Sequence, residues 1–205
     1  MTEVVYVMEV TGAAPHVDGV NETDLTSIVA RYCTYDTATP GTNYPCKVPS
    51  TGFYYSYWKT MFLDVSGTFN SIRDIKWYCD GTVALDWGLD SANGGGLFIG
   101  LKDDGDTTDG GHGCPLASYQ QSGGTPGYTG YAIGDGTNGH AYYKSESTPV
   151  GDADDYVAAT PLLIDATVYT AAFQSKAWVT QIKIPPTAAH GELTAKSFNV
   201  SYQVY

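Results

Sequence analysis

Carboxylates that could do chemistry are densest in Lys102-Asp-Asp-Gly-Asp-Thr-Thr-Asp-Gly-Gly-His-Gly. Here Asp103, Asp104, Asp106 and Asp109 sit close together on glycine-rich backbone. Calcium takes about six to eight oxygen ligands, and loops of this kind supply them from side chains and carbonyls. The spacing departs from the EF-hand loop, and no Glu closes it at the required distance. A solvated acidic turn is therefore the plainer expectation, with no cofactor, and calcium at these four aspartates is the alternative. Asp152, Asp154 and Asp155 form a second, weaker acidic cluster.

Other catalytic patterns fail on spacing. His16, His112, His140 and His190 are isolated from one another, and His112 with Cys114 gives two donors, short of a zinc set. Cys33, Cys46, Cys79 and Cys114 contain no C-x-x-C. Free, partly buried thiols are expected in a reducing compartment. Cys33 with Cys46 is the first pair to test for a disulfide, because it closes a short loop between two strands. There is no G-x-S-x-G elbow, Walker loop or strand-linked G-x-G-x-x-G. Nothing in the sequence selects a glycosidase-like carboxylate pair, so the chain is expected not to be an enzyme. The run Phe53-Tyr-Tyr-Ser-Tyr-Trp58 would stack sugar rings if exposed. Its plainer role is to cover a sheet or line a subunit interface, where Tyr is enriched.

These residues must be held by sheets. The 205-residue chain has 24 Gly, 17 Tyr and 4 Trp with only 16% charged residues, a composition suited to strands and polar turns. Strand patterns recur at 4–10, 26–32, 56–65, 72–79, 82–88, 96–102, 140–143, 168–173, 178–184 and 193–205. Asp-Gly and Asn-Gly pairs between several of them supply the positive φ of tight turns. A short helix or 3₁₀ turn fits only near 115–121 or 153–159. The clearest pair of strands lies in residues 57–82. Met61, Leu63 and Val65 alternate with Phe62 and Asp64, and Ile75, Trp77 and Cys79 alternate with Asp74, Lys76 and Tyr78. A turn at Ser66-Gly67-Thr68 would make them a hairpin. In the final segment Phe198, Val200, Tyr202 and Val204 share a face, which predicts a strand paired in the sheet or with a neighbouring subunit.

The expected fold is all-β: a single antiparallel β-sandwich domain over residues 1–205, jelly-roll-like, with a Gly/Asp-rich excursion over about 103–139. A net charge of -12 argues against nucleic acid or anionic membrane as a partner. The first ten residues lack the basic and apolar regions of a signal peptide, and no apolar run reaches the ~20 residues of a bilayer span. Synthesis in a cytoplasm without export is the expectation.

The run S-Y-W-K-T-M-F-L-D-V-S-G-T-F-N-S-I-R-D-I-K-W-Y-C-D-G-T resembles a pattern in structural proteins of tailed viruses of bacteria and archaea. Those proteins have a strand ending L-D-x-S-G-T-F, then I-x-x-I-K-(W/F)-Y-x-D-G-T. Gly100-Leu-Lys-Asp-Asp-Gly-Asp, Gly113-Cys-Pro with Tyr119-Gln-Gln, and Tyr169-Thr-Ala-Ala-Phe-Gln-Ser-Lys are similar too. So is Thr129-Gly-Tyr-Ala-Ile-Gly-Asp-Gly-Thr-Asn-Gly-His-Ala-Tyr-Tyr, and the likeness spans roughly residues 50 to 205. It implies a virion β-sandwich protein of the capsid-decoration or head-surface type, assembled in the host cytoplasm. The implied partners are the major capsid protein or other virion proteins, and further copies in a homo-oligomer. No active site carries over. The alternatives are a carbohydrate- or receptor-binding module, with glycan as ligand, and a tail-tube or filament subunit.

Overall fold

The computed structural model describes residues 2–11, 19–20, 22–29, 31–101 and 151–205. The strands among them are β1 (Thr2–Val10), β2 (Glu22–Asp24), β3 (Tyr54–Tyr55), β4 (Lys59–Thr68), β5 (Ile72–Tyr78), β6 (Gly96–Leu101), β7 (Gly151–Asp152), β8 (Leu162–Asp165), β9 (Phe173–Gln174), β10 (Trp178–Ile184) and β11 (Asn199–Val204). One helical turn, α1 (Val83–Asp86), and 3₁₀ turns at Ser91–Asn93 and Ala153–Asp155 complete them. The larger sheet runs β2-β1-β4-β10-β6-β7, with β3 also on β10 and β9 on β4. The smaller runs β11-β5-β8. All pairings are antiparallel, and the two sheets stack in a sandwich-like arrangement. The strand order does not confirm the jelly-roll connectivity.

Alternation places the core between the sheets. From the larger sheet come Met61, Leu63 and Val65 of β4, Leu97 and Ile99 of β6, and Trp178, Ile182 and Ile184 of β10. From the smaller come Ile72, Ile75 and Trp77 of β5 and Ile164 of β8, with Val200, Tyr202 and Val204 of β11 half-buried against them. Phe62 points the other way and packs with Val10 and Ala177 in a separate apolar cluster on the outer face. Ile72 and Ile75 are an odd number apart, yet both are buried in the core. Asp74 between them takes φ 55°, and β5 shifts register against β8 between Ile75 and Lys76. This bulge returns the second apolar side chain to the inner face.

The expected hairpin is not formed. β4 and β5 lie in different sheets, so residues 57–82 link the two layers of the sandwich. Ser66, Gly67 and Thr68 remain in β4, paired with Val4, Glu3 and Thr2. The chain turns after them, at Phe69, which is buried edge-on to Phe173 at 6.3 Å and 84°. Burial of that ring favours a crossover into the second layer over a return along the same sheet.

Two further strand expectations fail. The described residues 26–29 and 31–32 are not in a strand: the Thr26 N–H donates to Asp24 Oδ1 at 2.8 Å, an Asx turn that ends β2. Residues 82–88 contain α1 instead, where the Asp86 and Trp87 N–H groups donate to the Thr82 and Val83 carbonyls. Gly88, at φ 62°, then ends the helical turn in the left-handed conformation. Residues 168–173 reduce to a bridge between Ile72 and Tyr169 and the start of β9, and 193–205 to β11. The expected 3₁₀ turn near 153–159 is present at Ala153–Asp155. Residues 115–121 and 140–143 lie outside the described residues.

Candidate functional site: an aromatic loop over a buried ion pair

Asp103, Asp104, Asp106 and Asp109, the residues expected to hold calcium if any do, lie outside the described residues, as do His16, His112, Cys114 and His140. His190 is exposed. The second acidic cluster has a structural use, since Asp152 Oδ1 accepts from the Asp154 N–H at 3.0 Å and caps the 3₁₀ turn. Among the described residues no group of three or more His, Cys, Asp or Glu side chains converges as a metal site would require. A depression of about 380 Å³ is lined by Gly88, Asp90, Ser91, Ala92, Thr187 and Ala189. Its one carboxylate, Asp90, is already engaged by Asn93 Nδ2 at 2.7 Å.

The aromatic run 53–58 does not form one platform. Phe53 is exposed, with Lys183 Nζ 4.1 Å from its ring centre. Tyr54 and Tyr55 are half-buried in β3, and Ser56, Tyr57 and Trp58 are buried. Ser56 ties this segment to β10: its Oγ accepts from the Ile182 N–H and its carbonyl accepts from Gln181 Nε2, each at 3.0 Å.

The exposed aromatic surface lies in the preceding loop. Thr34 donates to the Tyr44 carbonyl through its N–H at 2.9 Å and its Oγ1 at 3.2 Å, closing the segment on itself. Closure stacks Tyr35 on Tyr44, with centroids 4.7 Å apart at 23°. The two rings are 56% and 49% exposed. Tyr44 reaches this position only at φ 56°, a left-handed conformation that a bulky residue rarely adopts. A stacked, solvent-facing tyrosine pair held by strained backbone is a feature of recognition surfaces.

Under this loop lies an ion pair that the sequence pattern had not singled out. Glu9 is in phase with Val5 and Val7, and Lys59 is in phase with Met61 and Leu63, so both point into the core. Lys59 Nζ donates to Glu9 Oε1 at 2.8 Å and to the Thr37 carbonyl at 3.1 Å. Opposite Lys59 on β10 is Thr180, whose Oγ1 accepts from the Tyr32 hydroxyl at 2.7 Å. Burial pushes the Glu9 carboxyl above its usual range, against the pull of Lys59, and pushes the Tyr32 hydroxyl up as well. A charged residue in phase with a buried strand face was the available signal. The pair is sealed from solvent, so its chemistry is to tie β1, β4 and the 32–37 segment together.

No family model, curated protein or solved structure matches the chain.

Proposed function

We propose that this is a non-enzymatic structural protein of a virion, of the capsid-decoration or head-surface type, that docks on a viral shell. The resemblance of residues 50–205 suggests the setting, and the edge of the larger sheet supports the docking. β2 pairs with β1 only at Met8, Glu9 and Val10. Among the described residues, no strand pairs with Thr2–Tyr6 on that side, and there Val4 and Tyr6 are 43% and 41% exposed. An uncovered edge with outward apolar side chains invites strand addition by a partner. The net charge of -12 keeps crowded copies apart. The major capsid protein is the proposed partner, and further copies of this chain complete a homo-oligomer assembled in the host cytoplasm.

The test is copurification with intact particles at a fixed copy number. Changing Val4→Lys and Tyr6→Lys together should abolish attachment and leave the thermal midpoint unchanged. Absence of the labelled protein from particles would overturn the virion reading. Assembly of the pure protein into tubes would select a tail-tube or filament subunit instead.

A second reading, a glycan- or receptor-binding module, is favoured by the exposed Tyr35–Tyr44 stack. Glycan binding by the isolated protein, lost in Tyr35→Ala and kept in the β1 double variant, would select it.

A further inference from the structure

We infer that the outer face of the smaller sheet binds an acidic sugar chain, one whose rings carry carboxylates. The inference rests on neither reading above, because it uses neither the β1 edge nor the Tyr35–Tyr44 stack. In β5 and β11 the side chains of Ile75, Trp77, Val200, Tyr202 and Val204 turn toward the core. Alternation therefore turns Lys76, Tyr78, Ser201 and Gln203 to the opposite face. The register sets Lys76 between Ser201 of β11 and Leu163 of β8, Arg73 beside Gln203, and Tyr78 beside Asn199. Two cations thus lie in the middle strand of a flat face, with hydrogen-bonding side chains alongside.

Arg73 is held in one orientation. Its guanidinium carbon lies 4.2 Å from the Tyr205 ring centre, and Nη2 donates to the Tyr205 hydroxyl at 2.6 Å. That hydroxyl donates in turn to Gln203 Oε1 at 2.8 Å. The carboxylate beside Arg73, Asp74, stands 3.7 Å from Nε, too far for a hydrogen bond. Most of the guanidinium donors therefore remain for a ligand. Among the described residues Lys76 makes no ion pair, whereas Arg31, Lys59, Lys176 and Lys196 are each taken by a carboxylate. In a chain of net charge -12, two cations without close carboxylate partners select an anion, and a fixed guanidinium fits a carboxylate in particular. Tyr205 and Tyr78 flank the cations along the sheet, and residues 73 to 78 span roughly 16 Å of strand. Each ring offers an apolar face to a sugar and a hydroxyl to its polar rim. Asn199 and Ser201 add donors and acceptors for sugar hydroxyls. A nucleic acid fits less well, because its continuous phosphates need more cations than this face carries.

The test titrates the full chain calorimetrically with trigalacturonate, with maltotriose as the neutral control. Trigalacturonate should bind saturably, and maltotriose about tenfold more weakly or not at all. Lys76→Gln and Arg73→Gln should each weaken trigalacturonate binding about tenfold, the loss of one charge-assisted hydrogen bond. Lys76→Arg should retain it, and the thermal midpoint of Lys76→Gln should match the unaltered protein. Tyr35→Ala should bind as the unaltered protein does. The inference is overturned if trigalacturonate does not bind, if maltotriose binds equally well, or if Lys76→Gln binds undiminished. Loss of binding in Tyr35→Ala would move the sugar to the aromatic loop and overturn it too. Self-association of the chain that Lys76→Gln abolishes would make an acidic surface of a second copy the occupant instead.

Discussion

Glu9 and Lys59 meet at 2.8 Å between β1 and β4, with only 2% and 5% of their side chains exposed. A buried pair of this kind costs desolvation that its attraction roughly offsets, so removing one partner is far worse than removing both. Lys59→Met is expected to lower stability by about 3–5 kcal/mol, read from urea unfolding. Glu9→Leu added to Lys59→Met should recover most of the loss. A double variant as weak as the single would mean that Lys59 acts through its bond to the Thr37 carbonyl rather than through the pair.

The same pair predicts a pH dependence. Burial lifts the Glu9 carboxyl above its ordinary 4.5, with Lys59 opposing. Between that value and the folded one, the native state binds more protons than the unfolded chain. Stability therefore falls as pH rises through this window. Glu9→Gln should remove this part of the slope in denaturant midpoints measured from pH 4 to 8. In Lys59→Met the opposing charge is gone, so the cost should be larger at pH 8 than at pH 5. An equal cost at both would show that Glu9 stays ionised without Lys59.

Asp165 carries the opposite sign. Burial pushes its carboxyl up, but the bonds it accepts outweigh that and hold it below the usual 3.8. The Lys176 N–H at 3.0 Å and the Tyr169 hydroxyl at 2.8 Å reach Oδ2, and the Thr167 N–H at 2.9 Å reaches Oδ1. Here the unfolded chain binds more protons, so this contribution is complete above 3.8 and is lost as pH falls through the folded value. Asp165→Asn leaves at least one donor facing an amide NH₂. It should cost about 2–3 kcal/mol at neutral pH and make the acid side of the stability profile shallower. An unchanged acid limb would assign acid unfolding to other carboxylates.

At Gly67, paired with Glu3, the β4 backbone leaves no room for a side chain against β1. Gly67 takes φ 92°, and a Cβ there would stand 2.2 Å from the Thr2 carbonyl oxygen. Gly67→Ala combines a left-handed backbone with a backbone clash, so the end of β1 must move. A loss of about 2–4 kcal/mol is expected, with faster amide exchange at Thr2–Val4. Full stability would mean that this end of the ladder opens at no cost.

Much of the sandwich was legible because alternation reports burial directly. β10 falls at the expected residues, β5 is one residue shorter, and β6 follows its expected span as far as Leu101, the last described residue there. What alternation does not report is which sheet a strand joins. β4 and β5 satisfy a hairpin pattern, yet Phe69 sends the chain across the core instead. Over a few residues, strand and helix patterns also coincide. Val83 and Trp87 are both buried at a spacing that one helical turn satisfies, and Gly88 was the helix-ending signal that distinguished it. The candidate site was the least legible part. Its tyrosines come together through one backbone closure at Thr34, which leaves no periodic trace in the sequence.

Tyr44 tests that closure. Its left-handed backbone costs about 1 kcal/mol, and the stack with Tyr35 returns roughly 0.5–1.5 kcal/mol. Tyr44→Ala keeps the strain and loses the stack, so it should be destabilised by about 1 kcal/mol. Tyr44→Gly also loses the stack but removes the strain, since glycine adopts positive φ freely. Glycine should therefore be the more stable of the two by about 1 kcal/mol, the reverse of the order at an ordinary position. Urea midpoints of the two variants decide it. Alanine above glycine would mean that Tyr44 does not hold the left-handed turn, and the stacked pair would lose its anchor.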